Sequence, residues 1–148
     1  MNVFSCTAAI DTTSGEQRIS NPIEVLLVRQ QVLSAAESLG FRHQDAEALA
    51  TAVNGLARNV LEHAGGGWSE WDLAVGEGRT GIRVPFTDQG SGIRDVDAVL
   101  RDGVRSHAGV GVGLSDARRI VDDLRIQSVP GEGTRVEIVK WIQAGAKA

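Results

Sequence analysis

Apolar residues along the chain recur at two spacings, three-to-four and two, and the changes between them divide it into elements. The opening stretch NVFSCTAAI can be extended, and beyond the polar TTSGEQ a second short extended piece over QRIS would complete a hairpin. Asn21 followed by Pro22 reads as an N-cap and first helical position. Ile23, Leu26, Leu27 and Leu33 follow at helical intervals, and Gly40 stops the run. A second helix is predicted from Gln44 to Ala64, where Leu49, Val53, Leu56 and Val60 recur three and four residues apart until Gly65-Gly66-Gly67 ends it.

The period then changes to two. Trp71, Leu73 and Val75 alternate with Asp72 and Ala74, GEGRTG turns the chain, and Ile82, Val84 and Phe86 alternate again up to Asp88, which predicts an antiparallel hairpin. Pro85 interrupts the second strand, because it has no N–H for the ladder, and so predicts a bulge or an edge. Residues 89–113 hold six glycines and read as a long loop with one short helix from Val96 to Leu100. Leu114, Ala117, Ile120, Val121 and Leu124 form the apolar face of a third main helix. RIQSV, the turn PGEG and TRVEIVKWI make a closing hairpin, and the GAKA tail is expected to fray. Helices and strands are segregated along the chain. That order predicts an α+β two-layer sandwich, with helices on one face of a mixed or antiparallel sheet.

Composition narrows the functional classes. The 148 residues are expected to form one domain, residues 1–148, because a chain of this length buries roughly two-thirds of its unfolded surface around a single core. A net charge of -4 and the lack of a Lys/Arg cluster argue against a nucleic-acid partner. Cys6 is the only cysteine, so neither an intrachain disulfide nor a Cys/His zinc site is expected. The chain shows no secretory-type start and no apolar run of about 18 residues, the length a membrane span needs. A cytoplasmic protein that does not touch a membrane is expected, and no exposed apolar stripe demands a dimer.

Three places carry candidate chemistry. Asn59 sits beside the Leu56/Val60 stripe of the second helix, where its amide can coordinate a metal ion or simply bond backbone. Asp88 ends a strand and is followed by Gly90 and Gly92. Its carboxylate can accept from an exocyclic amine while the glycines let the backbone approach a flat ligand, or it can initiate an ordinary turn. Gly109, Gly111 and Gly113 lead into Leu114 and the third helix, an arrangement that suits a phosphate or a hinge.

In this order the three places resemble the nucleotide-binding boxes of the GHKL superfamily, the Bergerat ATP-binding fold. The likeness runs through LARNVLEHA, DQGSGI, GVGVGL and the GEGT that ends at Thr134, and covers residues 20–142 or so. LARN, DQGSGI, IQSVPGEGT and KW are most similar to the RsbT-like switch kinases. The resemblance implies a serine/threonine kinase of the anti-sigma and stress-switch type that uses ATP and Mg2+ on a STAS-domain antagonist and then exchanges partners, with a PP2C-type phosphatase or a sigma factor among them. It implies Asn59 as magnesium ligand, Asp88 as reader of the adenine amino group, and Thr134 as the hydroxyl supporting that carboxylate and a bridging water. Gly90 and Gly92 would pass beside the base, while Gly109, Gly111, Gly113 and Leu114 would meet the phosphates. Arg58 and His63 fall at commonly polar positions. Arg105 and His107 can reach the terminal phosphate or remain solvated loop charges.

One residue departs from the pattern. Four positions before the asparagine such kinases carry a glutamate taken to be the general base, and here stands Gly55. Glycine accepts no proton, and inside a helix it costs about 1 kcal/mol relative to alanine. Glu62 lies seven residues on, about 10 Å away by helical rise, too far to replace it easily. No catalytic side chain is therefore assigned. The alternative function is a nucleotide-dependent binding module, a pseudokinase or an anti-sigma factor.

Overall fold

The computed structural model describes residues 14–90 and 114–143. Asn21 begins helix α1 (Pro22–Leu39): its side chain accepts from the Glu24 N–H at 2.9 Å, and Pro22 follows where no donor is needed. Gly40 ends it at φ 102°, returning its N–H to the Ala36 and Glu37 carbonyls. Helix α2 (His43–Ala64) starts one residue earlier than Gln44 and ends as predicted at Gly65, φ 77°. Its stripe of Leu49, Val53, Leu56 and Val60 is buried.

Five strands follow the period-two reading: β1 (Gly15–Ile19), β2 (Gly67–Gly76), β3 (Arg79–Asp88), β4 (Asp123–Val129) and β5 (Gly133–Trp141). They form one sheet in the order β1-β2-β3-β5-β4, and all four pairings are antiparallel. Of the two sheet types expected, the described strands choose the antiparallel one. Glu77 and Gly78 close the β2–β3 hairpin with positive φ at both positions, the backbone that suits the right-handed strand twist. Ile82, Val84 and Phe86 of β3 and Ile138 of β5 are buried with α1 and α2 residues in one core, each such side chain stabilising the fold by about 1.5–3 kcal/mol. The charged side chains alternate onto the opposite face, where Arg83 clasps Asp72 across β2 and β3 at 3.1 and 2.8 Å. That bond raises the Arg83 guanidinium above its ordinary value.

Four expectations change. Pro85 lies in a central strand, between β2 and β5, and not at an edge. Its missing donor falls on the β2 side, where pairing runs from Ser69↔Phe86 to Asp72↔Arg83 in unchanged register, so no residue is inserted. The buried Ser69 hydroxyl donates to the Pro85 carbonyl at 3.1 Å and satisfies it there. The third helix, α3 (Leu114–Ile120), is shorter than its apolar residues suggest, and Leu124 belongs to β4, opposite Ile138. The Lys140 amine donates to the Ile120 carbonyl at 2.9 Å and the Asp122 N–H bonds Val139 O at 3.0 Å, which turns the chain into the sheet. Finally, α1 does expose an apolar stripe: Ile23, Leu26 and Leu27 are 69%, 60% and 43% accessible. The extended start over NVFSCTAAI and the Val96–Leu100 helix lie outside the described residues.

Candidate functional site

Cross-strand pairing puts Ile19, Gly67, Asp88, Thr134 and Ser128 in one row across all five strands. Directly paired residues share a sheet face, and Ile19, fully buried, identifies this one as the face under the helices. Two glycines let α2 come down on the row. A side chain at Gly67 would overlap the Thr87 carbonyl and approach Val60 of α2 to 2.9 Å, and one at Gly90 would approach Ala64 Cβ to 2.7 Å. The last turns of α2 therefore rest on the strand ends that carry Asp88 and Thr134.

Asp88 is half-buried, and its Oδ1 accepts from the Gly90 N–H at 2.9 Å, leaving Oδ2 for a further donor. The loop turn and the carboxylate are thus one device. Beside it Thr134 is 9% accessible and its hydroxyl meets that of Ser128 at 3.0 Å. Ser128 also donates to the Gly133 carbonyl at 3.3 Å. Gly133 adopts φ 134°, and a side chain there would overlap the Asp88 carbonyl, so only glycine lets β5 pass so close to the carboxylate's own backbone.

On α2, Asn59 presents the one buried side-chain nitrogen or oxygen that lacks a hydrogen-bond partner among the described residues, its Nδ2. An orphaned buried amide costs about 1–3 kcal/mol. A half-turn of the amide exchanges nitrogen for oxygen, which places a metal-ligating or water-binding atom at the same point. Its chemistry fits a magnesium ion, which takes few protein oxygens and keeps several waters. No group of three or more His, Cys, Asp or Glu side chains suited to a metal occurs among the described residues. A protein cage for a metal is not found there.

Gly55 is buried in α2, one turn before Asn59. Arg58 leans on Glu62 at 3.4 Å and lines a cleft of about 400 Å³ between α1 and α2, together with Pro22, Leu26, Asn54 and Leu61. The cleft lining includes neither Asp88 nor Thr134. His63 is exposed in the last turn of α2, and Leu114, 3% accessible, opens α3 inside the core. Gly92, Arg105, His107, Gly109, Gly111 and Gly113 lie outside the described residues. Sequence reasoning missed Ser128. The signal was present, since a short turn between RIQSV and TRVEI fixes the register that sets Ser128 opposite Thr134.

The chain is similar to known proteins. Residues 44–144 match the family model of histidine kinase-, DNA gyrase B- and HSP90-like ATPases. The serine/threonine-protein kinase RsbT of Bacillus subtilis (strain 168) is 34% identical over 126 residues, 85% of this chain and 95% of that protein. An anti-sigma F factor of Pasteuria penetrans is 32% identical over 100 residues, 64% of this chain and 67% of that protein. With its antiparallel α+β sheet, its row of Asp88 and Thr134 and the Asn59 helix above them, the chain belongs to the GHKL family of histidine kinase-, gyrase B- and HSP90-like ATPases.

Proposed function

We propose that the chain binds ATP with magnesium and works as a switch kinase of the anti-sigma type, docking a STAS-domain antagonist in the cytoplasm. The observation that carries the nucleotide part is the Asp88–Thr134 pair on adjacent strands beside the end of α2, the helix that also carries the orphaned Asn59 amide. Asp88 and Thr134 would hold the base, and Asn59 would orient the magnesium and with it the phosphates. Bound ATP supplies the phosphoryl group. On transfer, the bond to the terminal phosphorus breaks on the leaving side, a serine or threonine oxygen of the antagonist forms the new ester, and its proton must leave. The names of the two relatives, a serine/threonine-protein kinase and an anti-sigma factor, support this reading. A PP2C-type phosphatase or a sigma factor is the proposed second partner.

Gly55 favours a second reading. With no side chain there to take the hydroxyl proton, the chain would hold nucleotide and partner without efficient transfer, as a nucleotide-dependent binding module. Calorimetry with Mg-ATP tests the shared premise. Binding is expected, weakened about 10- to 100-fold in Asp88→Asn, which exchanges a charged acceptor for an amide. Absence of heat at millimolar nucleotide, with the variant behaving identically, would remove both readings. Labelled-phosphate transfer to a STAS-domain protein then separates them.

A further inference from the structure

β1 ends the sheet on one side, and among the described residues no strand pairs with its outer edge. Such an edge presents a row of backbone donors and acceptors that a further strand can use. Ile19 is buried under the helices, so Gly15 and Gln17 share its face, while Glu16 and Arg18 alternate onto the open one. There the charges are ill-matched. Glu16 lies directly opposite Glu70 of β2, and Arg18 lies opposite Trp68. Like charges placed opposite one another destabilise a strand pair. None of Glu16, Glu70 and Arg18 enters an ion pair among the described residues. Arg83 feels Glu70, but its guanidinium is held by Asp72. Arg18 is the smallest of the influences on Glu24. Beside the edge, the Gln31 side-chain amide of α1 donates to Gln17 Oε1 at 3.3 Å, and Leu27, one turn earlier on the same side of α1, is 43% accessible.

We propose that the free edge of β1 pairs with β1 of a second copy of this chain, antiparallel about a two-fold axis at Gln17, so that Glu16 of each copy faces Arg18 of the other. This surface is separate from the nucleotide site. The register supplies what the single chain lacks: the partner's Arg18 is set against the two facing carboxylates Glu16 and Glu70, and the partner's Glu16 meets Arg18. The seam is self-complementary, as a two-fold interface requires. Moving the axis by one residue would set Glu16 against Glu16 or Arg18 against Arg18, so charge also fixes the register. Leu27 adds apolar area beside the seam.

Sedimentation equilibrium of the whole chain tests this. The unaltered chain is expected to dimerise. Glu16→Arg and Arg18→Glu should each weaken the dimer about tenfold or more, because either change sets like charges at both ends of the seam. An equimolar mixture of the two variants should recover the affinity, since every facing pair is again opposite in sign, and so should the chain carrying both changes. That recovery also shows each variant to be folded. An unaltered chain that stays monomeric at the highest concentration reached, its edge covered by its own residues 1–13 or by none, overturns the proposal. So does a dimer indifferent to both variants, or one that both weaken and the mixture does not restore. None of these outcomes touches the nucleotide reading, because no residue of the seam is among those assigned to ATP.

Discussion

The sheet row and the helix above it are built to different standards. In the row, Asp88, Thr134 and Ser128 each have a partner, and glycines at positions 67, 90 and 133 are spent on bringing backbone close. On α2, the asparagine amide has no partner among the described residues, and one turn earlier a buried glycine stands where a proton acceptor would be needed. On the proposed reading a ligand's base would meet a finished wall, whereas a reacting hydroxyl would find no side chain at Gly55 to take its proton. Recognition and chemistry are thus carried by separate elements, so a sequence change can remove one and leave the other.

Restoring the acceptor should produce the largest effect. Gly55→Glu is expected to raise the rate of phosphate transfer to a STAS-domain substrate by about 10²–10⁴, the usual contribution of a positioned general base. Nucleotide affinity should change little, because the row is untouched. Equal transfer rates in the two proteins would show that the glycine withholds nothing. Because Gly55 is buried, the helix-propensity gain of about 1 kcal/mol is opposed by the desolvation of a carboxylate, so the urea midpoint checks that the variant is folded.

The opposite break is made in the sheet. Gly133→Ala puts a side chain at φ 134°, against the Asp88 carbonyl and within 3.0 Å of Gln89 Cα. The strain and the overlap together should cost roughly 2–4 kcal/mol, seen as a lower urea midpoint, and β5 must shift away from Asp88. Nucleotide binding should fall with it. If affinity holds while stability drops, the close approach of β5 serves the fold and not the wall.

These contrasts explain what was legible in the sequence. Asn21-Pro22 and the glycines at 40 and 65 announced the helix ends because capping is local chemistry, readable within four residues. The β2–β3 and β4–β5 hairpins were readable because turn and alternation lie side by side. Pro85 was misplaced because whether a strand is central depends on β5, fifty residues away, which local pattern does not contain. Leu124 fits a helical stripe and an inward strand position equally well, and the tertiary bonds at Ile120 and Asp122 decided it. Asp88 and Thr134 were found through their motifs, but that they are direct neighbours, and that Ser128 completes them, follows only from register. That Ile23, Leu26 and Leu27 are exposed was not readable, because apolar periodicity does not say which side of α1 meets the sheet.

The cap at the start of α1, whose side chains are not among those assigned to the nucleotide, supplies the controls. Asn21→Ala removes the acceptor for the Glu24 N–H and should cost about 1 kcal/mol in urea denaturation. Mg-ATP affinity should stay as it was, which would show that lost stability alone does not alter recognition. A changed affinity would mean that the start of α1 reaches the site, and would blur the contrast drawn above.

The smallest effect is a pH dependence at the same cap. The Glu24 carboxylate accepts from the Ser20 hydroxyl at 2.6 Å and from the Ser20 N–H at 2.7 Å, and these bonds hold its pKa below the ordinary glutamate value. A group lowered on folding contributes stability above its unfolded pKa, and loses that contribution as pH falls through the folded one. Stability should therefore decline on acidification from the usual glutamate range downward, and Glu24→Gln should flatten part of that decline while leaving the neutral-pH slope alone. Unfolding midpoints measured across the acid range read the difference. Because both Ser20 bonds lie at the exposed surface, the change should be small beside that of Asn21→Ala at neutral pH; a larger one would place Glu24 in a tighter environment than the Ser20 contacts describe.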